Sequence, residues 1–187
     1  MKLMLCSAAA TVFALCAIPI VCAHAAAADP CREARARDKR VGTEITDPRV
    51  TNAMMDVVEA SGFRHRVVVC EISMPYANAT VGNLGSHYYI GVTRALLDDF
   101  TDAELRAVLG HEIAHIVLGH RAPGFELTNY RAARHEEAAD TLSARWFDKE
   151  AMRKVLWKLR VDARTLPNAS QRQRAIKEID ARIEALQ

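Results

Sequence analysis

Residues 107–120 read AVLGHEIAHIVLGH, an apolar run that nevertheless carries His111, Glu112, His115 and His120. Just ahead of it lies Thr101-Asp102-Ala103-Glu104, a capping box in which Thr101 caps the first helical turn and Glu104 returns to the backbone of the cap. The run is therefore read as a helix, and its apolar surroundings make it a buried one. Two buried imidazoles and a carboxylate carry a heavy desolvation cost when nothing compensates them. The rest of the chain must bring partners to this helix, a demand that constrains the fold more than any other segment does.

Helical positions four apart share a face, so His111 and His115 can present two ring nitrogens to one point in space. Glu112 is rotated by about 100° from His111, beside that point rather than on it. The pattern His-Glu-x-x-His on a helix has the mechanics of zinc peptidases, the two histidines holding the metal and the glutamate taking a proton from a water on the ion. His120 follows His111 by nine residues, which on a continuing helix puts it on the opposite side and out of reach of the same ion. It is expected to serve the helix end by meeting last-turn carbonyls.

A third ligand is expected from the downstream segment HEEAADTLSA, where Glu136 and Asp140 lie four apart and Ala138 and Ala139 permit close helix approach. Glu136 would complete a site of two histidines and one carboxylate with a fourth position open. Asp140 would accept the second N–H of a ligating histidine and fix its tautomer. Glu137, one step around the helix, is the competing ligand.

HEIAH followed by EEAAD, preceded by ANATVGNLGSHYYIGVTRALLDDFTDAELRAVLG, resembles the gluzincin family of HtpX and the CAAX prenyl protease, from about Arg66 to Phe147. The resemblance implies zinc ligands at His111, His115 and Glu136, a catalytic Glu112, an active-site aspartate at Asp140, and a cleft lined by Asn78-Ala79 and the strand near His87. It departs where that family often has His-Pro before a C-terminal arginine: here Leu166-Pro167 precedes Arg172 and Arg174. The fold expected is α+β, a mainly helical zincin-like domain with a small, mostly antiparallel sheet.

Local signals agree with that class. Asp47, Pro48 and Gly62 bracket a helix with a stripe at Val50, Met54, Val57 and Val58. RVVVCEIS, NATVG and HYYIGVT read as three strands, with NLGS as the turn before the third. From Arg94 onward helices are expected, including one through RHEEAADTLSARWF and one near SQRQRAIKEIDARIEAL.

The opening, Lys2 followed by an apolar stretch to Ala-x-Ala at Ala25, has the grammar of a secretory signal over residues 1–25, with an uncleaved anchor as the alternative. Residues 26–187 then form one domain, periplasmic or secreted, with no further apolar run able to cross a bilayer although proximity to a membrane stays open. Of five cysteines, Cys31 and Cys70 lie outside the signal, and in an oxidising compartment they suggest one disulfide. A formal charge of +2, one unit lower without Lys2, gives no footprint for nucleic acid. The basic segment CREARARDKR is read as a solvated helical face or linker.

The expected function is zinc-dependent endopeptidase action on extended or unfolded polypeptides, with one zinc per chain. A substrate could add to a sheet edge near Tyr88 to Val92. Arg172, Arg174, Tyr130 and His135 are unranked candidates to stabilise the oxyanion. The alternative is a latent or chaperone-like binding module on the same fold, closed by the loop Arg121 to Tyr130 or awaiting an activating partner. Metal storage fits poorly, since no histidine-rich or cysteine-rich tract is present.

Overall fold

The computed structural model describes residues 29–120 and 129–187. The elements run α1 (Arg32–Arg37), β1 (Val41–Glu44), α2 (Pro48–Ser61), β2 (Val67–Ile72), β3 (Ala79–Asn83), β4 (Tyr88–Thr93), α3 (Arg94–Asp99), α4 (Asp102–Val117), α5 (Asn129–Trp146), α6 (Lys149–Ala163) and α7 (Ala169–Ala185). The class is α+β, as expected. The expected signal over residues 1–25 and most of the 121–130 loop lie outside the described residues. Among the described residues no helix is long and apolar enough to cross a membrane.

The sheet has strand order β1-β2-β4-β3, with β1 and β3 antiparallel to their neighbours and β2 parallel to β4. Parallel pairing goes with burial on both faces, which accounts for the nearly unbroken apolar run of β2. Val69, Ile90 and Val92 face the main core formed with α2, α4, α6 and α7. Val68, Cys70 and Ile72 face a smaller cluster with Ala34, Val41 and Leu84. There Cys70 meets Cys31 at the start of α1, and the disulfide joins them with Cα atoms 5.9 Å apart.

The basic segment thus forms a short helix fixed to the sheet. Arg35 pairs with Asp29 at 2.8 Å, and Arg37 donates to the Asn83 carbonyl at 2.8 Å. In α2, Asp47 accepts from the Arg49 N–H at 2.8 Å, Pro48 opens the first turn and Gly62 ends the helix.

The topology overturns the expected docking edge. β4 pairs with β2 on one side and β3 on the other, so the strand from His87 to Val92 offers no free edge. Chain order misleads here because β3 and β4 form a hairpin that folds back, inserting the later strand beside β2. The outer strands are β1 and β3, and β3 packs on α4.

Candidate metal centre

α4 begins as its sequence dictates. The Thr101 hydroxyl accepts from the Glu104 N–H at 3.4 Å, and the Glu104 carboxylate accepts from the Thr101 N–H at 2.7 Å. Lys158 of α6 adds an ion pair to the same carboxylate at 2.9 Å. Burial alone would raise the Glu104 pKa, but these donors hold it below the ordinary value.

The helix carries His111 and His115 on one face, their Nε2 atoms 2.9 Å apart. α5 comes close because position 110 is glycine: a Cβ there would lie 2.7 Å from Ser143 Oγ and 2.9 Å from the Phe147 ring. Ser143 also donates to the Ala107 carbonyl at 2.7 Å, locking the two helices together. This crossing sets Glu136 Oε2 3.3 Å from His111 Nε2 and Oε1 3.4 Å from His115 Nε2.

These three residues offer donor atoms all within 4.8 Å of one another. Tetrahedral zinc, with bonds of about 2.0–2.1 Å, places ligand atoms about 3.3–3.4 Å apart. The two Nε2 atoms lie 2.9 Å apart, and each has a different Glu136 carboxylate oxygen at 3.3 or 3.4 Å, so a modest shift of these side chains would accommodate such an ion between them. Two imidazoles and one carboxylate are also the donor chemistry zinc favours.

Asp140, only 1% exposed, places Oδ1 2.8 Å from His111 Nδ1, at ion-pair distance but without the alignment of a full hydrogen bond. Arg182 of α7 grips Asp140 through both carboxylate oxygens, at 2.6 and 2.8 Å, and reaches Glu136 at 3.2 Å. Burial would raise the Asp140 pKa, yet the Arg182 guanidinium and the His111 ring hold it below the usual range. Burial has the same tendency on Glu136, where His111, Arg182 and His115 bring the pKa down to about 2. Burial disfavours the His111 cation, but Asp140 and Glu136 override it and raise the pKa to about 10. Burial and the neighbouring His111 push His115 down to about 4.

Glu112 is buried, and that burial, with the Glu136 and Asp140 carboxylates adding to it and His111 and Arg182 opposing it, pushes its carboxyl up to about 7. It lines a cavity of about 310 Å3 together with His111, His115, Glu136 and Arg182. Residues 78–81 of the outer-strand region form another part of this wall, while Met152, Val155 and Leu159 of α6 give an apolar side.

The other expectations divide. Glu137 is exposed and lines a separate surface depression with Leu118 and Arg145, away from the donor cluster. His120 is not on the far side of α4, because the helix stops at Val117 and Gly119, with φ of 68°, turns the chain back. Its N–H does bond the His115 carbonyl at 2.9 Å, as a helix-end residue should, but its ring lies against His115 and lines the cavity. His135 stacks on His120 with ring centroids 3.9 Å apart. Arg172 donates to the Leu166 carbonyl, Arg174 is exposed, and the Tyr130 side chain lies outside the described residues.

Arg182 was missed by the sequence reading. Its signal was a guanidinium set within the apolar stripe Ile176, Ile179, Ile183 and Leu186 of α7, where a solvated arginine has no place.

A helix pair that converges two imidazoles and a carboxylate on one point, beside a cleft with a further buried carboxyl, is the architecture of a helix-borne metallohydrolase centre. Residues 44–133 match the model of peptidase family M48, the family that contains the HtpX and CAAX prenyl protease type zinc metallopeptidases. The match spans α2, strands β2 to β4, α3 and all of α4 and ends before Glu136, so the third donor rests on geometry. None of the curated proteins matches the chain. The family supports a metallopeptidase acting on polypeptides.

Proposed function

We propose that the chain is an exported zinc endopeptidase of one domain, residues 26–187, following a signal at residues 1–25. His111, His115 and Glu136 are its metal ligands and Glu112 is its general base. The observation that carries this reading is the convergence of the three donor atoms within 4.8 Å, with Glu112 lining the same cavity. The chemistry an ion such as zinc supplies at such a site is Lewis acidity, which polarises a scissile carbonyl and makes a water acidic near pH 7.

Glu112, with a pKa near 7 in the metal-free protein, is suited to accept a proton from the attacking water and pass it to the departing amine. Asp140 orients His111 through Nδ1, and Arg182 holds Asp140 in place. An extended polypeptide would pair its backbone with β3, the outer strand that contributes to the cavity, so binding would tolerate many sequences. The Cys31–Cys70 disulfide is compatible with the oxidising compartment the proposed signal implies.

The test is hydrolysis of an unstructured protein by zinc-loaded enzyme, with Glu112→Gln as the paired variant. The variant should retain one zinc per chain and lose activity by about 10²–10⁴-fold. Loss of metal from Glu112→Gln, or equal activity in both proteins, would remove Glu112 from the role of base. A zinc-loaded parent that binds unfolded protein without cutting it would instead support a latent or chaperone-like module.

A further inference from the structure

His111 and His115 have different outer partners. His111 Nδ1 faces the Asp140 carboxylate at 2.8 Å, whereas His115 Nδ1 lies 3.0 Å from Nδ1 of His120. Two ring nitrogens at that distance share one proton, and its owner depends on what the far side of each ring is doing. If His115 uses the Nε2 lone pair toward His111 and Glu136, its proton must reside on Nδ1, and His120 Nδ1 is then the acceptor. The reverse arrangement would put a proton on His115 Nε2, where it would block a metal bond.

His120 is held for this purpose by local structure. The His120 N–H reaches the His115 carbonyl at 2.9 Å and the Gly119 N–H reaches Ile116 at 3.0 Å, the paired bonds of a Schellman motif. That turn requires the left-handed conformation of Gly119 and brings residue 120 back alongside 115. His135 then lies flat on the His120 ring, at an interplanar angle of 7°.

We propose that His120 is a positioning residue for His115: it accepts the Nδ1–H and thereby selects the tautomer and ring orientation that leave Nε2 free for the metal. This rests on the reading of His115 as a ligand. One imidazole of the centre is thus oriented by a carboxylate and the other by a neutral ring, and the second device is built from the helix end itself.

The experiment compares zinc affinity, by competition with a chromogenic chelator, in the parent, His115→Ala, His120→Leu and His120→Asn. Leucine approximates the shape of the ring near Cγ and has no acceptor, whereas asparagine can place Oδ1 where Nδ1 lies. His120→Leu should weaken zinc by about 10–100-fold, with His120→Asn recovering most of that loss. The cobalt-loaded proteins should show an altered d–d spectrum in the leucine variant and a parent-like one in the asparagine variant, a distinction that lost packing would not produce. Parent-like affinity in His120→Leu, or equal weakening in both variants, overturns the proposal. Parent-like affinity in His115→Ala would overturn the ligand reading as well, which separates the two failures.

Discussion

Replacing Arg182 by methionine keeps an apolar stem on α7 and deletes the guanidinium that grips Asp140 at 2.6 and 2.8 Å and touches Glu136 at 3.2 Å. Asp140 is 1% exposed, so water cannot take over the lost bonds. Removing one member of a buried pair costs about 3–5 kcal/mol, chiefly because the other charge stays behind unpaired. His111 remains 2.8 Å from Asp140 as a partial counter-charge in the metal-free protein, which points to the lower end, about 3 kcal/mol. For a chain of this size that is a fall in Tm of about 6–12 °C. Circular dichroism melts of metal-free parent, Arg182→Met, Asp140→Asn and the double variant would measure it. The double variant no longer strands a carboxylate, so its loss should be smaller than the sum of the single losses by about 1–3 kcal/mol. An Arg182→Met protein within about 1 kcal/mol of the parent, or a strictly additive cycle, would refute the argument.

Further expectations follow from the scaffold. Replacing Cys31 and Cys70 together by alanine should cost about 4 kcal/mol, the chain-entropy value for their separation of 39 residues, and denaturant midpoints would report it. Alanine at Gly110 should destabilise although alanine favours helices by about 1 kcal/mol, because its Cβ would press on Ser143 and Phe147 at 2.7 and 2.9 Å; a gain in stability would contradict that close approach. Glu104 has a folded pKa below its unfolded value, so its contribution is complete above the unfolded pKa and lost as pH falls through the folded one. Glu104→Gln should therefore cost about 1–2 kcal/mol near neutrality and flatten the acid limb of a stability-versus-pH curve.

Much of the centre was readable because it is local. The capping box, the spacing of four between His111 and His115, and the spacing of four between Glu136 and Asp140 each depend on a single helix, and helical geometry does not need the rest of the chain. What failed was relational. Extrapolating α4 through Gly119 sent His120 to the wrong side, since a one-residue left-handed turn redirects everything after it. Strand order cannot be read from three short apolar runs, so the central β4 was taken for an edge. The four residues of β1 are too short for a period to show, and their pairing is recognised only against β2. Arg182 lies in a helical segment that the sequence does show, but the partner an arginine meets there is fixed only when α7 packs on α5.

The Asp140–Arg182 clasp joins residues 42 apart, and the sheet wall of the cavity comes from still earlier in the chain. An emerging or partly folded polypeptide can hold the two histidines on a nascent α4 long before α7 has docked against α5. At that stage His111 lacks its braced carboxylate partner and the pocket lacks a side. On the proposed function, competence to cut would arrive together with the completed tertiary structure, so a partly folded copy would not act before its own fold has closed.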